Sequence, residues 1–279
     1  MLWSPKHSVL PRITIVTPSY NQAQYLGQTI ESVLNQGYPN LEHIVIDGGS
    51  TDGSVEIIKR YEGHLAYWVS EKDSGQAKAI NKGLAKATGH LFNWINSDDI
   101  LFPGALWRIS DAYVRNPGAG LYVGYNARGD SAGRITRISV PPLRPSMSPS
   151  NWVMCICQQS TFVATEILKK IGGVREDLHY IMDTELYYRL FAAGCQYVRV
   201  ESLVGLIREH ADAKGVVQKD HWLPELERML EEYRISRTRM RLAQWRLRFC
   251  RVLDGSYLRS YLLLRSLKRL PAWPRRGTA

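Results

Sequence analysis

Several signatures are missing from this 279-residue chain, and each absence removes a class of protein. Four cysteines (Cys155, Cys157, Cys195, Cys250) form no CxxC pair, which argues against a zinc ribbon and a small disulfide scaffold and for reduced cytosolic thiols. No stretch reaches the roughly 18 apolar residues of a membrane span, and the opening MLWSPKHSVLPR lacks the apolar centre of a secretory signal. Neither a spanning nor a Sec-exported protein is expected. GxGxxG, GxxxxGK[ST] and GxSxG are all absent, so a dinucleotide fingerprint, a P-loop and a nucleophile elbow fail as well. Most of the chain also lacks net charge. Residues 230–279 hold 13 Lys+Arg against 3 Asp+Glu, the remainder holds 23 of each, and the whole excess of +10 therefore sits in the tail.

What is present reads as alternating strands and helices. Ile13–Thr17 is a β-branched run ended by Pro18, and Tyr25, Leu26, Ile30, Val33 and Leu34 follow at helical spacing. Glu42–Ile46 predicts a second strand, Ser54–Tyr61 a helix, Leu65–Val69 a third strand, Gly75–Thr88 a helix and Leu91–Ile95 a fourth strand. This order implies a mostly parallel central sheet flanked by helices, an α/β fold. After Pro103 a helix to about Arg115 leads to strand candidates at Leu121–Tyr125, Arg134–Val140 and Ser160–Ala164, with Pro141–Pro149 as a surface loop. A helix over Asp183–Ala193 and strands at Tyr197–Val200 and Val204–Ile207 close the body, and everything beyond about Val216 is helical and basic.

Ligands of an open parallel sheet bind beyond the carboxyl ends of its strands. Four polar clusters fall there: Thr17 to Asn21, Asp47 to Ser50, Ser70 to Asp73, and Asn96 to Asp99. Each alone could be a cap or a turn, but four on one edge point to a ligand. The carboxylates of the last cluster suit a hard divalent ion, which commonly shares its oxygens with a diphosphate.

The ordered set VTPSYN (16–21), SVLNQ (32–36), IVIDGGSTDG (44–53), AINKG (79–83), WINSDD (94–99) and DTELYYR (183–189) resembles the family 2 glycosyltransferases, which have the GT-A nucleotide-diphospho-sugar transferase fold. The resemblance implies an inverting, metal-dependent enzyme. It would move a sugar from a nucleotide diphosphate, UDP ahead of GDP or dTDP, to a hydroxyl of a glycan or lipid-linked acceptor. Bacterial surface polysaccharide assembly on the cytoplasmic face is the setting it suggests. Asp47 would accept a hydrogen bond from the base, and Pro18, Tyr20, Asn21, Gly49, Ser50, Asn96 and Ser97 would line the nucleotide-sugar pocket, with Asp73 near ribose or sugar. Asp98 would bind Mn2+ or Mg2+, joined by Asp99 or His210; Asp99 could equally cap the next helix. Asn96 departs from the acidic DxD pattern. Asp183 matches the catalytic base, with an N-cap as its alternative role, although Met182 stands where the family has Glu. Gln158, Gln159 and Trp152 fall in the acceptor region. The family's processive synthases carry QxxRW and membrane spans, so their absence here predicts a single addition per acceptor.

The implied organisation is a catalytic domain over 1–215, with a nucleotide-binding half over about 12–102 and an acceptor half over 103–215, followed by a basic amphipathic helical tail over 216–279. The tail suits either an anionic membrane leaflet, with arginines toward phosphates, or packing on the body; nucleic acid is not expected as a partner. A cytoplasmic protein, peripheral on the inner face of the membrane, is the corresponding location. Two rival functions remain: a sugar nucleotidyltransferase, whose Gly-rich loop should stand where Pro18 to Asn21 does, and a non-catalytic nucleotide- or glycan-binding relative, which Asn96 favours.

Overall fold

Strand β1 (Ile13–Ser19) is buried along its whole length, as a strand covered on both faces must be. It pairs in parallel with β2 (Leu41–Asp47) and with β4 (Leu91–Trp94), and β3 (Tyr67–Ser70) adds to β2 in the same direction. The register sets Ser19 beside Asp47 and Asp47 beside Ser70, so the polar clusters that follow these strands come out on one edge. The computed structural model describes residues 10–143, 156–211, 213 and 221–267.

Helices α1 (Ala23–Leu34), α2 (Ser54–Tyr61) and α3 (Gln76–Lys86) connect these strands. A Cβ on Gly83 would stand 2.5 Å from both methyls of Val16, so the glycine of AINKG lets α3 rest directly on β1. Leu26 and Ile30 of α1 pack with Val45 and Ile58. Ile80 and Leu84 of α3 join Val16, Ile44, Phe92 and Trp94 in the largest core cluster, and α4 (Ala105–Arg115) puts Leu106 and Ile109 against Ile13, Ile15 and Leu91.

The second half of the sheet is mixed rather than parallel. Its strands are β5 (Ile100–Leu101), β6 (Leu121–Gly129), β7 (Ile135–Ser139), β8 (Thr161–Ala164) and β9 (Tyr197–Arg208). The order is β3-β2-β1-β4-β8-β6-β9-β5, with β7 on β6. Strand β8 runs antiparallel to both β4 and β6, while β6 and β9 are parallel. The two strands expected at Tyr197–Val200 and Val204–Ile207 are one strand, β9, with its register slipping opposite Tyr125. Strand β6 runs four residues past the expected Tyr125, and the short β5 and α5 (Thr165–Lys170) were not expected.

Helix α6 (Met182–Ala192) follows, then α7 (Trp222–Glu232), α8 (Arg237–Leu253) and α9 (Ser256–Leu267). Leu226, Met229 and Leu230 of α7, with Ile235, lie in the same core cluster as α6, so the body continues past the boundary expected near 215. Among the described residues no helix is long and apolar enough to cross a membrane. Cys157, Cys195 and Cys250 are free thiols. Most of the Pro141–Pro149 loop, like Cys155, lies outside the described residues.

His43 on β2 makes the fold sensitive to acid. It is buried, sharing a hydrogen bond with Thr17 Oγ1 at 3.0 Å, and burial pushes its imidazole down to about 3. An unfolded histidine titrates near 6.5, so below that pH the unfolded chain takes up a proton that the folded chain refuses, and stability falls as pH falls. From pH 7 to pH 5 this costs about 2 kcal/mol. Urea unfolding at both pH values should show His43→Gln losing about that much less than the parent. Equal losses would mean that the imidazole is protonated in the folded state.

Candidate active site

The carboxyl edge of β1, β2 and β3 is built around Asp47, which is fully buried. Its carboxylate accepts from the N–H groups of Gly49 (3.1 Å) and Ser50 (2.9 Å) and from the hydroxyls of Ser50 (2.6 Å) and Ser70 (2.7 Å). Every bond is within the protein, so Asp47 holds the loop in shape, and the surface of that loop faces outward. The turn after β1 is fastened to it from the other side. The N–H of Asn21 donates to Ser50 Oγ at 2.8 Å, and the N–H of Thr51 donates to Asn21 Oδ1 at 2.9 Å. Asn21 has φ +49°, a left-handed backbone that Asn tolerates better than most residues.

Gly48 lies between these turns, with Tyr20 and Asp73 closing on it. A Cβ there would meet both Asp73 Oδ1 and Tyr20 Cδ2 at 3.3 Å. The missing side chain therefore lets an aromatic ring and a carboxylate approach the same peptide. Tyr20 is 63% exposed, with its ring turned to solvent at the open edge. Asp73 is kept in place by accepting the N–H of Gly75 at 2.9 Å.

Beyond β4 the chain turns through Asn96, Ser97, Asp98 and Asp99, and three elements hold that turn. Thr29 of α1 donates its hydroxyl to the carbonyls of Ser97 and Asp99, each at 2.8 Å. Arg208, at the end of β9, donates Nε–H to the Asp98 carbonyl (3.1 Å) and its backbone N–H to Asp99 Oδ1 (3.2 Å). Its guanidinium also reaches Gln28 Oε1 (2.9 Å) and lies 4.6 Å from the centre of the Tyr25 ring. The turn thereby brings Asp98 Oδ2 to 3.0 Å from His210 Nε2.

Asp98 and Asp99 point to different environments. The Asp99 side chain is buried, and Oδ2 accepts from Gln159 Nε2 (2.7 Å) and Asn96 Nδ2 (3.1 Å). Burial, with the charge of Asp98 adding to it, pushes the Asp99 carboxyl up to about 8. Asp99 thus braces the turn from inside, and the N-cap of α4 is Gly104 rather than Asp99. Asn96 joins the same brace, because its Oδ1 accepts from Gln76 Nε2 at 2.6 Å. A neutral amide can donate to Asp99 and accept from Gln76, which a carboxylate there could not do. Gln158 likewise points inward, donating to Asn93 Oδ1 (3.0 Å) and to the Trp94 carbonyl. The Nε2 groups of Gln158 and Gln159, both expected in the acceptor region, donate to protein partners, while Gln158 Oε1 is buried without a hydrogen-bond partner. Trp152 lies outside the described residues.

Asp183 is the second residue of α6, and Ile181 rather than Asp183 occupies the N-cap position. Its Oδ1 accepts the N–H of Thr184 at 2.6 Å, and burial raises its carboxyl above the usual range. Glu225 of α7 fixes the approach to α6 by accepting the N–H groups of His179 (2.9 Å), Tyr180 (2.9 Å) and Ile181 (3.2 Å). The thiol of Cys157 is pushed up to about 11, foremost by burial, and the charges of Asp183 and Asp99 both add to that rise.

The model of Glycosyl transferase family 2 matches residues 14–172, more than half of the chain. The chain belongs to glycosyltransferase family 2. An uncharacterised glycosyltransferase of Mycobacterium tuberculosis is 31% identical over 200 residues, covering 70% of this chain and 74% of the relative. One of Rickettsia typhi is 28% identical over 203 residues, and there the match spans 63% of the relative's length. TuaG of Bacillus subtilis, whose name assigns it provisionally to teichuronic acid biosynthesis, is 40% identical over 94 residues, 32% of this chain and 36% of TuaG. Two solved structures share the fold. S. aureus TarS in complex with UDP matches with a TM-score of 0.57 at 18% identity, over 71% of this chain and 60% of that one. The mannosyltransferase PcManGT from Pyrobaculum calidifontis, in complex with GDP-Man and Mn2+, matches with a TM-score of 0.56 at 22% identity, over 76% of this chain and 61% of that one.

Whether this family 2 chain is fitted for a divalent cation rests on Asp98 and His210. Among the described residues no group of three or more His, Cys, Asp or Glu side chains could hold a metal. The pair nevertheless fits a cation that takes its other ligands from a diphosphate and water, the usual arrangement for Mg2+. Asp98 Oδ2 and His210 Nε2 share a hydrogen bond at 3.0 Å, so both would have to give up that bond to meet on one ion, and they lie close enough to do so. His210 Nδ1 is buried without a hydrogen-bond partner. Arg208 and Glu225 had not been singled out from sequence. Arg208 precedes His210 by two residues, and an arginine ending an apolar strand beside a candidate ligand was the available signal; for Glu225 there was none.

Proposed function

We propose that the chain is an inverting glycosyltransferase that moves a sugar from a nucleotide diphosphate, UDP first among candidates, to a hydroxyl of a glycan or lipid-linked acceptor. The observation that carries this reading is the Asp98–His210 contact at 3.0 Å in the turn after β4, on the same sheet whose strands β1 and β3 lead to Tyr20 and Asp73 beside Gly48. The names of TarS and PcManGT complexes, with UDP and with GDP-Man and Mn2+, support a nucleotide-sugar donor. Surface polysaccharide assembly at the cytoplasmic face is the proposed setting, supported by the name of TuaG.

In this reading Tyr20 and Asp73 receive the nucleoside over Gly48, with Asn21, Gly49 and Ser50 forming the rim. Asp98 and His210 hold Mn2+ or Mg2+, which when bound offsets the negative charge that builds on the departing diphosphate. Arg208, Thr29 and Asp99 fix the turn that carries Asp98. Asp183 accepts the proton of the acceptor hydroxyl on the oxygen that Thr184 does not occupy. Its raised pKa strengthens it for that task. The acceptor oxygen bonds to the anomeric carbon as the carbon–phosphate oxygen bond breaks, so the nucleoside diphosphate leaves and one displacement inverts the centre.

Nucleoside diphosphate release from UDP-, GDP- and dTDP-sugars with Mn2+ and acceptor tests this, with the anomeric configuration of the product read by NMR. Release that requires acceptor and yields the inverted anomer is the expected result. A retained configuration would refute the single displacement. Pyrophosphate formed from nucleoside triphosphate and sugar phosphate would instead identify a nucleotidyltransferase.

A further inference from the structure

The helical hairpin α8–α9 has two unlike faces. The inner face meets the body: Met240 of α8 packs beside the α6–α7 core, and Leu263, Leu264 and Leu267 of α9 pack on the cluster of β6 and β7. Polar contacts fasten it. Asp254 accepts the N–H of Leu143 (2.7 Å), Ser256 Oγ donates to the Pro141 carbonyl (3.3 Å), and Arg259 pairs with Glu201. Ser236 caps the start of α8 by accepting the N–H of Arg239 at 3.2 Å. The hairpin is therefore already docked, and its outer face cannot also turn inward.

That outer face is apolar. Leu242, Trp245, Phe249, Val252 and Leu253 are all exposed, Trp245 at 69% and Leu253 at 70%. At about 100° per residue these five fall within roughly 100° of the α8 circumference, a single stripe. Tyr257, Leu258, Tyr261 and Leu262 present a second apolar face on α9. Isolated exposed apolar residues are ordinary on proteins, but five on one stripe of α8, with four more exposed on α9, mark an interaction surface.

The charges say what kind. On the same projection Arg239 and Arg246 flank one side of the α8 stripe and Arg241 and Arg248 the other, all four exposed. From Arg237 to Leu267 the only acidic residue is Asp254, and its carboxylate is tied to Leu143 and Ser256. An apolar stripe bordered on both sides by cations, with no exposed acid to repel phosphates, is complementary to a bilayer with anionic headgroups. A second copy of the same surface would bring arginines against arginines. We infer that the outer face of α8–α9 docks this protein flat on an anionic membrane, with Trp245 and Phe249 entering the headgroup boundary and the flanking arginines meeting phosphates. The expected tail thus packs on the body with one face and leaves the other for lipid.

Sedimentation of the full-length chain with vesicles tests this, using equimolar phosphatidylglycerol and phosphatidylcholine against phosphatidylcholine alone. The parent should bind the anionic vesicles and release as salt rises, because exposed charges are screened over about 10 Å at 0.1 M. Trp245→Glu should weaken binding at least about tenfold, and Arg241→Gln and Arg248→Gln about fivefold each. Melting temperatures should stay near the parent's, since these side chains are exposed. Failure of the parent to bind the anionic vesicles would overturn the inference, as would equal binding to phosphatidylcholine alone. Concentration-dependent self-association that Trp245→Glu abolishes, without vesicle binding, would reassign the face to contact between copies.

Discussion

Asp183→Asn should bind donor sugar as the parent does and turn over roughly two to four orders of magnitude more slowly, the range lost with a general base. The substitution keeps the size of the side chain and an oxygen able to accept the Thr184 N–H, so the first turn of α6 is unchanged. Only the capacity to take a proton disappears. Because burial already disfavours the charged carboxylate, the neutral amide should not destabilise the fold. Donor affinity by calorimetry, beside turnover by nucleotide release, separates this outcome from unfolding. A variant with the parent's turnover would remove Asp183 from the chemistry.

Asp98→Ala should lose metal-dependent donor binding altogether. Losing a partner one shell away from a metal commonly costs about 10–100-fold in affinity, and losing a direct ligand costs at least as much. His210 remains, yet an imidazole alone supplies no charge to offset the ion's, and Asn96 and Asp99 are turned into the brace behind the turn. Asp98 is also one cause of the raised Asp99 carboxyl, so removing it should ease ionisation of Asp99 without releasing it from Gln159 and Arg208. Titration of Mn2+ into protein with UDP-sugar, followed calorimetrically, would detect the loss. Binding with the parent's metal requirement would place the ion elsewhere.

The parallel half of the fold was legible because its signals are local: β-branched runs, and polar clusters where those runs end. The in-line edges of Ser19, Asp47 and Ser70 needed only that the strands be parallel and in register. Strand β9 was harder to read because Glu201 and Ser202 interrupt its apolar pattern at the point where its register slips against β6. The antiparallel insertion of β8 between β4 and β6 has no local signal at all, since it depends on which strands meet in space. The same division runs through the candidate site. Asp98 and His210 could be nominated one by one, but their meeting depends on β9 crossing the sheet to end beside the β4 turn. Whether Asp99, Gln158 and Gln159 faced ligand or interior depended on side-chain direction, and adjacent residues such as Asp98 and Asp99 take opposite directions.

Strand β9 has a mechanical consequence. Arg199 donates to Ser256 Oγ at 3.3 Å and Glu201 pairs with Arg259, so the hairpin grips the strand near its start, while Arg208, at its end, holds Asp98. From Glu201 to Arg208 is about 23 Å of extended chain. The same strand thus joins the hairpin to the Asp98 turn, and Leu263, Leu264 and Leu267 pack on the cluster that holds Ile100 and Leu206 close to that turn. If the hairpin lies on lipid and the turn takes an ion, as proposed above, an enzyme so built would not swing toward its acceptor. It would stand at a fixed height above the surface, and an acceptor would have to bring its hydroxyl to that height, so that its length would count before any sugar was recognised.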